Sequence, residues 1–181
     1  MIFRAIEFAA KAHRNHYRKG TRIPYIVHPL NVAKILIEYG CTEEVVAAGI
    51  LHDTTEDTPV TPGEIRKEFG DKVAELVEAA SEPDKSDTWE HRKSHTVEYL
   101  KTAPMDVLIL SCADKLDNVK SIIKDVEKHG ESVWDRFNRP KDDQKWYYRS
   151  LVEVFNSRAG ENETASELFK RFALKVKILF G

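Results

Sequence analysis

Glu43-Glu44-Val45-Val46-Ala47-Ala48-Gly49-Ile50-Leu51-His52-Asp53, followed by Thr54-Thr55-Glu56-Asp57-Thr58, decides how this chain folds. Glu43 to Leu51 read as a buried helix, with Thr42 as its N-cap and Thr54-Thr55 as a poor continuation. The helix therefore ends near His52-Asp53. A transition metal accepts imidazole nitrogen and carboxylate oxygen together, so an adjacent His and Asp form half of a metal site. Neighbours on a continuous helix point about 100° apart, so such a pair shares one ion most readily where a helix ends. Two more acids, Glu56 and Asp57, arrive within one turn and stand ready to handle a proton.

Working outward, the dominant period stays helical and no run alternates as a strand would. Ile2 to His13 form a first helix, with Phe3, Ile6, Ala10 and His13 on one face. Tyr17 to Tyr25 is a basic connection broken by Gly20 and Pro24. His28-Pro29 open a helix that runs to Tyr39 and ends at Gly40. Thr61-Pro62-Gly63-Glu64 is a capping box with proline in the first turn; its helix reaches Phe69, and Gly70 separates it from Asp71 to Ser81. Ser86 or Asp87 caps a polar helix to about Lys101. Met105 to Asp125 is a long helix, Trp134 to Pro140 is irregular, and Asp142 to Ser157 and Thr164 to Phe180 are the last two helices. The expectation is an all-α protein: one compact multi-helix bundle over residues 1–181.

Composition narrows the class. The chain has 181 residues, 41% hydrophobic and 32% charged, with a formal charge of −2. Nothing in that charge draws the whole molecule to nucleic acid or an acidic membrane, so an anionic partner must be held by a local patch. Cys41 and Cys112 are far apart and sit beside apolar helical segments, which reads as two buried thiols in a reducing compartment. No apolar stretch reaches membrane-spanning length, and Arg4 and Glu7 interrupt the N-terminal apolar pattern, which is unlike a signal peptide. The expected location is the cytoplasm. The apolar last helix leaves monomer and homodimer both open.

A metal on His52 and Asp53 needs further ligands. His28 sits at a helix start between Val27 and Pro29, and Asp114 ends the apolar run Val107 to Ala113. A carboxylate there carries a large burial penalty unless it is paired or bound to a metal. Singly, such residues are more often caps or core groups. Two His and two Asp, each at the end of an apolar stretch, are more specific.

Three segments carry a family resemblance: Tyr25-Ile26-Val27-His28-Pro29, Leu51 to Thr58, and Ala113-Asp114-Lys115-Leu116-Asp117-Asn118. In order, spacing and flanking residues they resemble the hydrolase domain of the RelA/SpoT proteins. More narrowly, they are similar to the small alarmone hydrolases of the metazoan SpoT-homologue type, within the HD-domain phosphohydrolase superfamily. The motif core runs from about residue 5 to 158, with the C-terminal helix at about 164–180. The resemblance implies that His28, His52, Asp53 and Asp114 bind one divalent ion, usually Mn2+. It implies that Glu56 and Asp57 manage the attacking water, and that the 3′-diphosphate of guanosine tetra- or pentaphosphate leaves as pyrophosphate. The alternatives are an HD phosphatase acting on another nucleotide such as NADPH, and a nucleotide sensor without turnover; Glu56-Asp57 and the full ligand set argue against the sensor.

The partner expected is a small phosphorylated nucleotide. The densest cationic group is Arg14, His16, Arg18, Lys19 and Arg22, a run that on its own reads as a solvated loop. By resemblance, Arg18 and Lys19 flank the nucleotide, and Asn118, one turn after Asp114, lies near the nucleoside. Tyr25 lines the base pocket or packs. Tyr147 is a candidate substrate contact and Arg136 a candidate phosphate partner, while Trp134, Trp146 and Tyr148 are expected in the core. Arg92 and Lys93 lie on a helix that approaches the phosphates in the family. His91, His95 and His129 read as surface residues. Asp117 departs from the family's usual His or Tyr, and a carboxylate there adds negative charge beside an anionic site.

Overall fold

The computed structural model describes residues 1–81 and 86–181. Among the described residues ten α-helices make up the fold: α1 Ile2–Ala12, α2 Val27–Glu38, α3 Glu43–Leu51, α4 Thr54–Asp57, α5 Pro62–Phe69, α6 Asp71–Ala80, α7 Trp89–Leu100, α8 Met105–His129, α9 Lys141–Arg158 and α10 Glu163–Phe180. Extended pairing among the described residues is limited to an isolated bridge between Tyr17 and Pro24, which pins the connection from α1 to α2. No helix among the described residues is long and apolar enough to cross a membrane.

Helix α3 lies at the centre, packed against α1, α2, α6 and α8. Every residue from Val45 to Leu51 is buried, which explains why this run shows no polar face. Thr42 caps it by accepting from the Val45 amide. Gly49 permits the close approach of α2: a β-carbon there would lie 2.4 Å from Leu36 Cδ1 and 3.3 Å from Val32 Cγ1. The other long member, α8, runs past α2, α3, α6 and α10. Behind it the Phe155 and Phe169 rings stack at 5.0 Å, with Phe172 edge-on to Phe155.

The capping box forms as expected. Thr61 Oγ1 accepts from the Glu64 amide at 3.3 Å and Glu64 Oε2 accepts from the Thr61 amide at 2.8 Å; such a cap stabilises by about 1 kcal/mol. Gly70, at φ 90°, then turns the chain from α5 into α6. Several expectations are corrected. Helix α1 buries Ala5, Ala9 and His13, whereas Phe3 is 88% exposed and Ala10 faces solvent; the small side chains let α1 lie close on α3. The cap of α7 is Thr88, which accepts from the His91 amide, in place of Ser86 or Asp87. Helix α8 continues to His129 and stops at Gly130, where φ is 68°. Part of the segment expected to be irregular is the end of a 3-10 helix, Gly130–Arg136. Trp134 and Tyr148 are buried as expected, but Trp146 is 43% exposed.

Candidate metal centre and active site

Two helix ends and one helix interior build the centre. His28 enters from the first turn of α2, His52 and Asp53 from the end of α3, and Asp114 from the buried side of α8. The side chain of His28 is 2% exposed and that of His52 4%. His28 Nε2 lies 3.1 Å from Asp114 Oδ1 and 3.6 Å from Asp53 Oδ2. His52 Nε2 lies 3.0 Å from Asp53 Oδ2 and 3.8 Å from Asp114 Oδ1. His28, His52 and Asp114 converge closely enough to hold one ion, and Asp53 Oδ2 faces both imidazoles. Ligands about 2.0–2.2 Å from a metal sit roughly 3 Å from each other, so these spacings fit.

The outer hydrogen bonds fit a metal as well. His52 Nδ1 is 2.8 Å from the Gly49 carbonyl oxygen and His28 Nδ1 is 2.7 Å from Asp117 Oδ2. Each carbonyl or carboxylate accepts from Nδ1–H, which leaves both Nε2 lone pairs aimed at one point, the arrangement that orients metal-ligating histidines. His52 Nε2 is buried with no hydrogen-bond partner. Tyr25 donates its hydroxyl to Asp53 Oδ2 at 2.6 Å. Asn118 Nδ2 and Lys115 Nζ each donate to Asp114 at 2.7 Å.

Electrostatics follow from this crowding. Burial opposes charge on His28 and His52, but Asp114 and Asp117 beside His28, and Asp53 and Asp114 beside His52, outweigh it and raise both imidazoles above their usual range. Burial likewise opposes charge on Asp53 and Asp114, yet the imidazoles, and for Asp114 also Lys115, hold both carboxyls low. With both imidazoles shifted toward the charged form, a divalent ion would bind by displacing protons. Burial and Asp53 push the Tyr25 phenol far up, keeping it a donor.

The centre opens into a cavity of about 350 Å³, within the range of small-molecule sites. Glu56 and Asp57, on the one-turn helix α4 directly after Asp53, line it, as do Arg18, Tyr25, Asn118 and Tyr147. Arg18 donates to Asn118 Oδ1 at 2.7 Å, and its guanidinium lies 5.7 Å from the Tyr25 ring centroid. Arg18, Asn118 and Asp114 are thus one hydrogen-bonded chain. Lys19 turns into an adjoining recess and donates to Asn138 at 2.9 Å. Arg136 does not line the cavity; it pairs with Asp125.

Further residues line the site, and of these Lys115 was not assigned from the sequence. Lys115 lines both the cavity and the recess; its position directly after Asp114 was the available signal. Lys93 lines both as well, with Nζ 4.9 Å from the Tyr147 ring centroid. His95, expected on the surface, is exposed yet forms part of the cavity wall. His91 pairs with Asp87 and His129 is exposed, as surface residues would be. Asp117 is buried and turned onto His28, so its charge holds that imidazole and does not line the main cavity. Three residues separate it from Asp114, which puts both on the inner side of α8.

Comparisons with known proteins agree with this geometry. Residues 5–143 match the HD domain family. A guanosine-3′,5′-bis(diphosphate) 3′-pyrophosphohydrolase of Aquifex aeolicus is 42% identical over 123 residues, 67% of this chain and 18% of that longer protein. The mouse guanosine-3′,5′-bis(diphosphate) 3′-pyrophosphohydrolase MESH1 is 34% identical over 94% of this chain and 91% of its own length. The chain thus spans about a fifth of the bacterial relative but nearly all of the mouse one. A crystal structure from Listeria monocytogenes EGD-e superimposes with a TM-score of 0.77 at 44% identity, covering 84% of this chain and 98% of that one. A match across most of its length, with the ligand-bearing helices inside it, shows that the chain belongs to the HD domain family.

Proposed function

We propose that this chain hydrolyses the 3′-diphosphate of guanosine tetra- or pentaphosphate and releases pyrophosphate, using a divalent ion, manganese by preference. The observation that carries the reading is the opening of one cavity onto both the His28–His52–Asp53–Asp114 cluster and the Glu56–Asp57 pair. The names of the Aquifex and mouse relatives support the substrate class. The expected setting is the cytoplasm, with a phosphorylated nucleotide as the partner.

Charge explains the need for a metal. With His28 and His52 neutral, as metal ligation would require, the described residues of the cavity wall carry five carboxylates, Asp53, Glu56, Asp57, Glu78 and Asp114, against three cations, Arg18, Lys93 and Lys115. A polyphosphate would be repelled by that balance. A divalent ion held by the cluster supplies the missing positive charge and the Lewis acidity that makes water a nucleophile at neutral pH. Glu56 and Asp57 orient that water and take its proton, a contribution of about 10²–10⁴ in rate for a well-placed base. Arg18, Lys93 and Lys115 hold the phosphate oxygens, lysine as a point charge and arginine as a fork. Asn118, fixed between Arg18 and Asp114, ties the nucleotide side to the metal side.

The test is direct. Manganese-loaded protein is incubated with guanosine tetraphosphate, NADPH and a generic phosphomonoester. Release of pyrophosphate from the first alone is expected. Release of phosphate from NADPH with guanosine tetraphosphate untouched would reassign the substrate, and turnover of none would leave a binding protein.

A further inference from the structure

A second cleft lies behind the metal centre, between α2 and α8, with a volume of about 380 Å³. Its charge is the reverse of the catalytic cavity's: five cations line it against three carboxylates. Lys34 comes from α2, Lys120 and Lys124 from adjacent turns of α8, and Arg171 from α10. Three separate elements therefore bring positive charge to one concave surface.

The carboxylates neutralise it only in part. Asp117, at the floor, is committed to His28 Nδ1 at 2.7 Å. Asp125 pairs with Arg136, which does not line this cleft. Glu38 is shared by Arg171 at 3.2 Å and Lys34 at 3.9 Å. Lys120 and Lys124 have no ion-pair partner among the described residues. Burial, helped by the nearby Arg171 and Lys124 and opposed by Asp117 and Glu38, lowers the Lys120 ammonium below its usual range.

We propose that this cleft is a binding site for a short inorganic phosphate chain of the pyrophosphate class. Converging ammonium groups suit phosphate oxygens as point charges, and Arg171 adds a planar fork. Asn31 and Ser121 line the same surface and offer neutral donors. Among the described residues no Phe, Tyr or Trp lines the cleft, so a nucleobase would find no large aromatic face; this favours an inorganic anion over a nucleotide. An anion held by Lys34 and Lys120 would bridge the two helices that carry His28 and Asp114.

The experiment reads binding without turnover, so its failure is separate from any failure of the proposed hydrolysis. Full-length protein is stripped of metal, freed of chelator and titrated calorimetrically with inorganic pyrophosphate at low ionic strength. Saturable binding is expected in the unaltered chain and in Lys93→Ala, a change confined to the catalytic side. The double variant Lys120→Ala/Lys124→Ala is expected to weaken it at least about tenfold, equivalent to 1.4 kcal/mol, while its thermal unfolding stays unchanged. Loss of binding in Lys93→Ala with none in the double variant would place the anion in the catalytic cavity and overturn the proposal. Absence of binding at millimolar pyrophosphate would also overturn it. Guanosine diphosphate serves as the nucleotide probe, and tighter binding of it, lost in the double variant, would overturn the inorganic assignment.

Discussion

The proposed metal end of the cavity and its proposed phosphate end are built in opposite ways. At the metal end each ligand leaves a buried helix segment and is held by a second group: His52 by the Gly49 carbonyl, His28 by Asp117, Asp53 by Tyr25 and Asp114 by Asn118. At the phosphate end Lys93 comes from α7, Lys115 from α8 and Tyr147 from α9, and long side chains do the reaching. The difference is one of preorganisation. A metal tolerates misplacement of a few tenths of an ångström, which only packed elements guarantee, whereas point charges hold phosphate over a wider range of poses.

If this division is real, changes at the two ends should differ in kind as well as in size. His52→Ala should produce the largest effect, with metal and turnover lost together; manganese retained at parent stoichiometry, measured by elemental analysis, would break the ligand assignment. Glu56→Gln should keep the metal and lower kcat by about 10²–10⁴, and an equal loss of metal would mean that Glu56 is a ligand. Asp117→Ala should weaken metal affinity by about 10–100-fold, with Asp117→Asn milder because an amide oxygen still accepts from His28. A KM effect with unchanged metal affinity would return Asp117 to the substrate side. Arg18→Ala should be smallest: loss of one charge-assisted contact raises KM about tenfold, with metal content unaltered. Metal loss in this variant would show that the two ends are one unit.

Legibility in the sequence followed the same division. The bundle could be read because apolar spacing, the Thr42 cap and the Thr61–Glu64 box are local signals, and all three survive in the structure. The four metal-facing residues could be read because a polar group at the end of an apolar run needs a compensating partner. What stayed hidden depends on which side of a helix faces which neighbour. Asp117 read as a negative charge beside an anionic site, whereas α8 turns it onto His28. His95 sits in a hydrophilic stretch with a weak apolar pattern, so nothing in spacing showed that it joins the cavity wall; only the family resemblance brought the helix of Lys93 toward the phosphates. Arg136 read as a free cation because its partner, Asp125, lies eleven residues earlier on a different element. Phe3 misled for a simpler reason: small residues, not large ones, let α1 settle on α3.

Gly49 carries a warning for anyone engineering this scaffold. Replacing helical glycine by alanine is a standard route to thermostability, worth about 1 kcal/mol per site. Here the added methyl would strike Leu36 on the facing helix, and the same residue lends its carbonyl to His52. Any shift of α3 to relieve the collision would move the metal ligand with it. A library screened for heat resistance alone could therefore lose catalysis at a position that looks like inert filler.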